Sequence, residues 1–273
     1  MNVLLFTVAG LLGGGLLTGL DRRITARLQG RVGPPLLQPF YDLVKLWTKE
    51  PLVAARSQVG YAVTSFGFGA LAVGLLATGR DPLFCLFLLA GGDLALILGG
   101  LSVRSPYSRL GSYREILATV AVEPLLILAA VALGLGRVGP AAGLPLLVRF
   151  PLVFLGLVGT LPVKLRKSPF DLSTAHHAHQ ELVQGMLTEF AGPVLGVVEL
   201  GHWLTVAFLM LMLRAFLPSA LAGWALALGA YFAVTLLDNL TARLSWPVLI
   251  RLAWGGGALA SLANLAWQLA VRG

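Results

Sequence analysis

The chain has 273 residues, of which 57% are hydrophobic and 12% charged, and its mean hydropathy is +0.85. That composition excludes a soluble enzyme with a single anchor and predicts a polytopic, all-α membrane protein, with residues 1–273 forming one integral membrane domain. The net charge of +8 reflects membrane topology, so no nucleic-acid partner is needed to account for it.

Eight stretches approach the roughly 20 apolar residues that cross a bilayer: 3–20, 59–78, 83–101, 116–136, 146–163, 193–217, 220–237 and 248–271. The fifth is interrupted by Arg149, Pro151 and Pro162. Before the first, Met1 and Asn2 supply no basic region of the signal-peptide kind, so it is read as a mature helix. If the spans alternate in direction, 15 of the 20 basic residues fall on one side and 5 on or toward the other. The positive-inside rule then puts both termini outside the inner (cytoplasmic) membrane and the connections 21–58, 102–115, 164–192 and 238–247 in the cytoplasm. Cys85 is the only cysteine. The chain can form no internal disulfide and cannot supply the thiolate set of an ordinary iron–sulfur cluster.

In the first connection, GRVGPP (Gly30 to Pro35) predicts a turn stiffened by its prolines. After it, Leu37, Phe40, Val44 and Trp47 recur at helical spacing, with Asp42, Lys45 and Lys49 on another side. This predicts a short helix lying in the membrane interface. Arg22, Arg23, Arg27 and Arg31 suit either anionic lipid headgroups or an acidic partner. The glycine runs Gly13–Gly15 and Gly255–Gly257 lie inside spans, where small residues permit close helix packing. No internal repeat suggests an inverted-repeat transporter.

Asp93 sits midway along the third span, and Glu123 lies in the fourth beside Pro124, which removes a helical hydrogen bond to the carbonyl of Val120. Ionisable groups at that depth mark polar waypoints; the alternative is that each carboxyl is protonated or paired with a neighbouring helix and serves only packing. Glu189, Gly192, Gly196 and Glu199 share a helical sector if the sixth span begins near Glu189, and His202 follows three residues after Glu199. Carboxylates and an imidazole along one face would form a proton path. Because Pro193 disturbs the phase, Glu189 could instead cap the helix start.

His176, His177, His179 and Glu181 invite a metal reading, but adjacent histidines diverge on a helix and match no ligand spacing. A polar docking or proton-entry loop accounts for them better, and no metal site is assigned. Asp238 and Arg243 pair with each other or orient the final loop.

Four ordered segments resemble one family. They are DRRITARLQGRVGPPLLQPFYDLVKLWTKE (Asp21 to Glu50), GSYREILATVAVEPLLIL (Gly111 to Leu128), KSPFDLSTAHHAHQELVQGMLTEFAGPVLGVVELGHW (Lys167 to Trp203) and DNLTARL (Asp238 to Leu244). Together they resemble the membrane subunit shared by respiratory complex I, its NuoH or subunit 1 protein, and by energy-converting (group 4) NiFe hydrogenases. Complex I sequences usually carry extra residues between the GP turn and the following LQP, whereas here Pro35 runs almost directly into Leu37, Gln38 and Pro39. The AHHAHQELV stretch also resembles the hydrogenase form.

The resemblance implies a subunit that docks a peripheral electron-transfer arm and links its redox reaction to ion translocation, taken here as proton translocation. It implies that Glu123, Glu181, Glu189 and Glu199 form the acidic entry path, to which the residue pattern adds Asp93 and His202 as the rest of the proton or ion path. It also implies that Arg22, Arg23, Arg31, Gln38, Asp42, Lys45, Lys167, Asp171, His176, His177 and His179 face the peripheral arm or its cavity. No cofactor is expected on this chain; the NiFe centre and iron–sulfur clusters belong to partner subunits. Those partners are the hydrogenase large and small subunits, iron–sulfur subunits, antiporter-like membrane subunits and membrane lipid. A quinone-site subunit of complex I and a passive membrane scaffold are the alternatives.

Overall fold

A computed structural model describes residues 2–52, 54–137, 145–170 and 185–270. Asp171, His176, His177, His179 and Glu181, singled out in the sequence, lie outside the described residues. Among the described residues, seven helical stretches are long and apolar enough to cross a membrane. They are α1 (Asn2–Leu28), α3 (Arg56–Ala77), α4 (Pro82–Leu101), α5 (Pro106–Arg137), α8 (Gly192–Arg214), α9 (Ala220–Leu240) and a composite near the C-terminus. The composite joins α10 (Trp246–Ile250) to α11 (Leu259–Ala270) through a π-helical stretch, Arg251–Ala258. The short α2 (Gln38–Trp47) lies between α1 and α3.

The fifth expected span is not one crossing helix. It consists of α6 (Leu146–Arg149) and α7 (Pro151–Lys164), separated at Phe150. Phe150 has φ −126° and ψ 55°, and Pro151 opens α7 because its missing N–H is harmless at a helix start. The 14 residues of α7 extend about 21 Å, less than a hydrocarbon core of about 30 Å. It is sheltered by the bundle: Val153, Leu157 and Leu161 are fully buried, and α7 packs on α5, α8, α9 and α11.

The centre of the bundle is α8, whose side chains from His202 to Met210 are all buried. Around it stand α1, α3, α7 and α9, with α4 and α5 completing the layer beyond α3. Leu204, Phe208, Leu209 and Met212 form the interior with Leu86, Leu126 and Leu157.

The GRVGPP turn forms as predicted. Gly30 adopts φ +71°, a conformation that favours glycine. Gly33 packs against the backbone of Arg23, and α2 is thereby folded back across the end of α1 onto α8. The exposed side of α2 divides in two: Leu37, Tyr41 and Val44 present apolar surface, while Lys45 and Lys49 lie to one side of it. Its inner side buries Pro39 and Leu43, and Phe40 meets Trp203 of α8 at a ring separation of 4.9 Å. That division suits a helix at the membrane surface.

Close packing through glycine holds for one predicted run and not for the other. A side-chain carbon at Gly14 would overlap the Trp203 backbone, and one at Gly15 would crowd Phe40 and Trp203. Gly255 and Gly256 have no heavy-atom neighbours in the corresponding positions, and only Gly257 abuts Leu125. The second run belongs to the π-helical stretch, where the helix is locally widened.

A 3₁₀ turn, Gly185–Leu187, is wedged against the start of α5. The Ser108 hydroxyl lies 3.3 Å from the Met186 carbonyl and 2.8 Å from the Gly100 carbonyl, and a side chain at Gly111 would collide with the backbone at Gly185 and Met186.

The neighbouring glycines 13 and 14 provide a test of helix packing. Gly14→Ala is expected to destabilise the protein by about 1–3 kcal/mol through overpacking, whereas Gly13→Ala, which meets open space, leaves thermal unfolding in detergent unchanged or slightly improved.

Candidate ion-coupling chamber

Asp93 of α4 and Glu123 of α5 are brought together by a residue not singled out in the sequence, Lys164 at the end of α7. The Lys164 ammonium donates to Asp93 Oδ2 at 2.7 Å and to Glu123 Oε1 at 3.0 Å. Its side chain is 8% exposed, against 27% and 18% for the two acids. Both acids are therefore paired with a neighbouring helix, the alternative to free waypoints. A buried carboxylate is tolerated when a cation and hydrogen bonds accompany it.

Beside this triad is a polar chamber with about 50 Å³ of space for water. At roughly 10–15 Å³ per molecule in this measure, it has room for a few waters. Its wall includes Asp93, Glu115, Lys164, Arg166 and His202, with Ser65, Thr119 and Thr205 adding hydroxyls. The helices α3, α4, α5 and α8, together with the end of α7, supply these groups. The arrangement combines carboxylates, an imidazole and fixed cations around a wettable space inside the bundle, the elements from which proton exchange is built.

The predicted sector on α8 divides. The helix begins at Gly192, with φ +55° at that residue and Pro193 in its first turn, so Glu189 precedes it. The N-cap is Ala191, without a side-chain cap, so Glu189 does not fill that role. Instead it lines an open cleft with Ala55, Ser102 and Arg104. Glu199 faces a groove of about 230 Å³ with Arg22, Asp42, Lys45, Lys49 and Trp203. Of the sector, only His202 reaches the chamber. The sequence pattern overextended the helix because glycine and proline reset the backbone just after Glu189.

The first-connection residues separate into holding and exposed groups. Arg22 Nη1 donates to Asp42 Oδ2 at 2.7 Å, fastening α2 to α1, and within α2 Gln38 Nε2 donates to Asp42 Oδ1 at 2.9 Å and holds that carboxylate in place. Arg23, Arg31 and Lys45 are exposed, with Arg31 bonded to Gln29.

Lys167, expected to face the peripheral arm or its cavity, is 5% exposed and joins Asp21 of α1 to α9. Its ammonium pairs with Asp21, donates to Thr235 Oγ1 at 2.7 Å and lies 4.9 Å from the centre of the Tyr231 ring. The Ser168 N–H donates to Asp238 at 2.8 Å, and the Leu244 N–H donates to the Pro169 carbonyl at 2.5 Å. Asp238 thus orients the connection after α7. The signal for Lys164 and Lys167 was their position at the end of an apolar run, with acids placed within or just after other spans.

Comparison with known proteins agrees with this architecture. The sequence profile of the NADH dehydrogenase family matches residues 1–269. Hydrogenase-4 component C of Escherichia coli is 27% identical over 92% of this chain and 90% of its own length. Formate hydrogenlyase subunit 4 of the same organism is 28% identical, covering 91% of this chain and 92% of its own. A subunit of the NADH-quinone oxidoreductase of Syntrophotalea carbinolica is 27% identical over 91% of this chain and 89% of its own. The fold is similar to a chain of the membrane-bound sulfane sulfur reductase, an archaeal respiratory membrane complex, with a TM-score of 0.81, 22% identity and 98% of both chains covered. Its profile match over nearly the whole length makes the chain a member of the NADH dehydrogenase family.

Proposed function

We infer that this chain is the membrane-anchoring and ion-coupling subunit of an energy-converting NiFe hydrogenase or a related formate- or carbon monoxide-linked complex. End-to-end similarity to hydrogenase-4 component C and formate hydrogenlyase subunit 4 supports the assignment. The observation that carries the coupling role is the Lys164 bridge between Asp93 and Glu123 at the edge of a wettable chamber.

In this reading the whole chain is one membrane domain in the inner membrane, with both termini outside. Connections 21–58, 102–115, 164–192 and 238–247 face the cytoplasm and the peripheral arm. Exposed Arg23, Arg31 and Lys45 meet the arm or the lipid surface. The partners are the hydrogenase large and small subunits, iron–sulfur subunits and antiporter-like membrane subunits. These partners hold the NiFe centre and clusters; this chain holds none.

The Lys164 ammonium shares its hydrogen bonds between two carboxylates on different helices. A change of charge in the docked arm that draws it toward one frees the other to take a proton from chamber water. Return of Lys164 expels that proton. The chamber is then a two-state element whose populations follow the redox state of the arm. Glu189 and Glu199 lie on separate clefts toward the cytoplasmic connections and serve as proton approaches.

The 27% identity to the NADH-quinone oxidoreductase protein of Syntrophotalea carbinolica favours a second reading, a quinone-site subunit. Isolation of the native assembly distinguishes them: nickel with iron–sulfur subunits and no quinone fits the first, and quinone with flavin-linked subunits and no nickel fits the second.

Asp93→Asn and Glu123→Gln are expected to leave the complex assembled while lowering the ions moved per electron in proteoliposomes. Undiminished translocation in both would leave this chain a passive scaffold. Lys164→Met leaves both carboxylates without their cation and is expected to destabilise the complex by about 3–5 kcal/mol. Adding Asp93→Asn to that variant recovers part of the loss in a thermal-unfolding measurement.

A further inference from the structure

Three cations follow one another where α7 ends, and each of the two outer ones is engaged by two side-chain partners. Lys164 donates to Asp93 and Glu123, and Lys167 to Asp21 and Thr235. Arg166, between them, is 8% exposed, yet its Nη1 has no hydrogen-bond partner among the described residues. Its backbone has φ +56°, in the left-handed region that residues with side chains seldom occupy. Departures of that kind persist where the surrounding structure requires them and cluster at functional sites.

An isolated N–H on a buried guanidinium is strongly disfavoured, so an acceptor must be supplied. Arg166 lines the chamber with Asp93, Glu115, Thr119 and His202, and the chamber has room for a few waters. We propose that Arg166 is a positioning and selectivity residue of this chamber: its Nη1 anchors water linking the Asp93–Lys164–Glu123 triad to His202, and its charge bars metal cations. The inference rests on the ion-coupling reading and adds to its proton step the residue that anchors the water and keeps metal cations out.

The chemistry of the wall supports the selectivity. A hard metal cation needs a shell of oxygen ligands at once. Asp93 Oδ2 and Glu123 Oε1 are already engaged by Lys164. A second cation in the wall, the Arg166 guanidinium, repels a metal ion that would stand beside it. A proton needs only a hydrogen-bonded route through anchored water.

The first test is a structure of the intact complex, from native membranes, at a resolution that shows water. Density within hydrogen-bond distance of Arg166 Nη1, with a second contact to Asp93 or His202, is expected. A dry chamber, or Nη1 paired with a protein acceptor, overturns the water anchor. The second test uses Arg166→Gln and Arg166→Lys in the complex in proteoliposomes. The Gln variant is expected to move severalfold fewer protons per electron, to keep its electron transfer when a protonophore is present, and to become sensitive to added sodium. The Lys variant restores most of the yield. Equal proton yield in wild type and the Gln variant overturns the proposal, as does loss of assembly in both variants, which would assign a structural role. A wild-type complex that moves no ions would end the functional reading, whereas the water density decides the anchor independently.

Discussion

Burial of charge inside a membrane bundle is the constraint around which this structure is arranged. Asp93 and Glu123 sit within apolar runs of α4 and α5, and they persist there because one ammonium reaches both. Lys164 reaches them because α7 is short and ends inside the bundle, where a full-length span would carry its cation to the surface. The break at Phe150 and Pro151 therefore bears directly on the chemistry: it sets where the helix begins and, over 14 residues, where its charge is delivered. The close packing of α8 against α1 through Gly14 and Gly15 holds the opposite side of the bundle against the same centre.

Charge segregation then divides the molecule by depth. Lys164 and Lys167 are turned inward to acids on distant stretches of chain, while Arg23, Arg31, Lys45 and Lys49 remain exposed. On α2 the two regimes meet, with Leu37, Tyr41 and Val44 suited to lipid and the lysines beside them suited to headgroups or an acidic protein surface. The separation of Glu199 from His202 follows the same division: the groove beneath α2 receives one, and the interior chamber receives the other.

Most of the helical plan was legible because a bilayer demands long apolar runs, and α1, α3, α4, α5, α8 and α9 announce themselves by that alone. The interfacial α2 was legible from its spacing, and the turn before it from Gly30 and the paired prolines. The sequence left two things hidden. Pro151 and Pro162 mark an interruption but do not say whether the fifth segment still crosses the membrane, since that depends on how α5, α8 and α11 enclose it. Residue type shows that Lys164, Arg166 and Lys167 are cations, while inward or outward orientation is decided by acids 71, 41 and 146 residues away along the chain for the two lysines. Asp93 and Glu123 were found because an acid inside an apolar run is conspicuous; a cation at the edge of one is ordinary.

The described residues that flank positions 171–184 are held on both sides. At one end Lys167, Ser168 and Pro169 are bonded to α1, α9 and the segment at Leu244; at the other, Gly185 and Met186 are wedged against α5. Each of these anchorages adjoins the chamber: Arg166, one residue before Lys167, forms part of its wall, and so does Met186. A displacement of either anchorage therefore reaches the chamber wall directly, changing the spacing of its groups while the long helices stay in place.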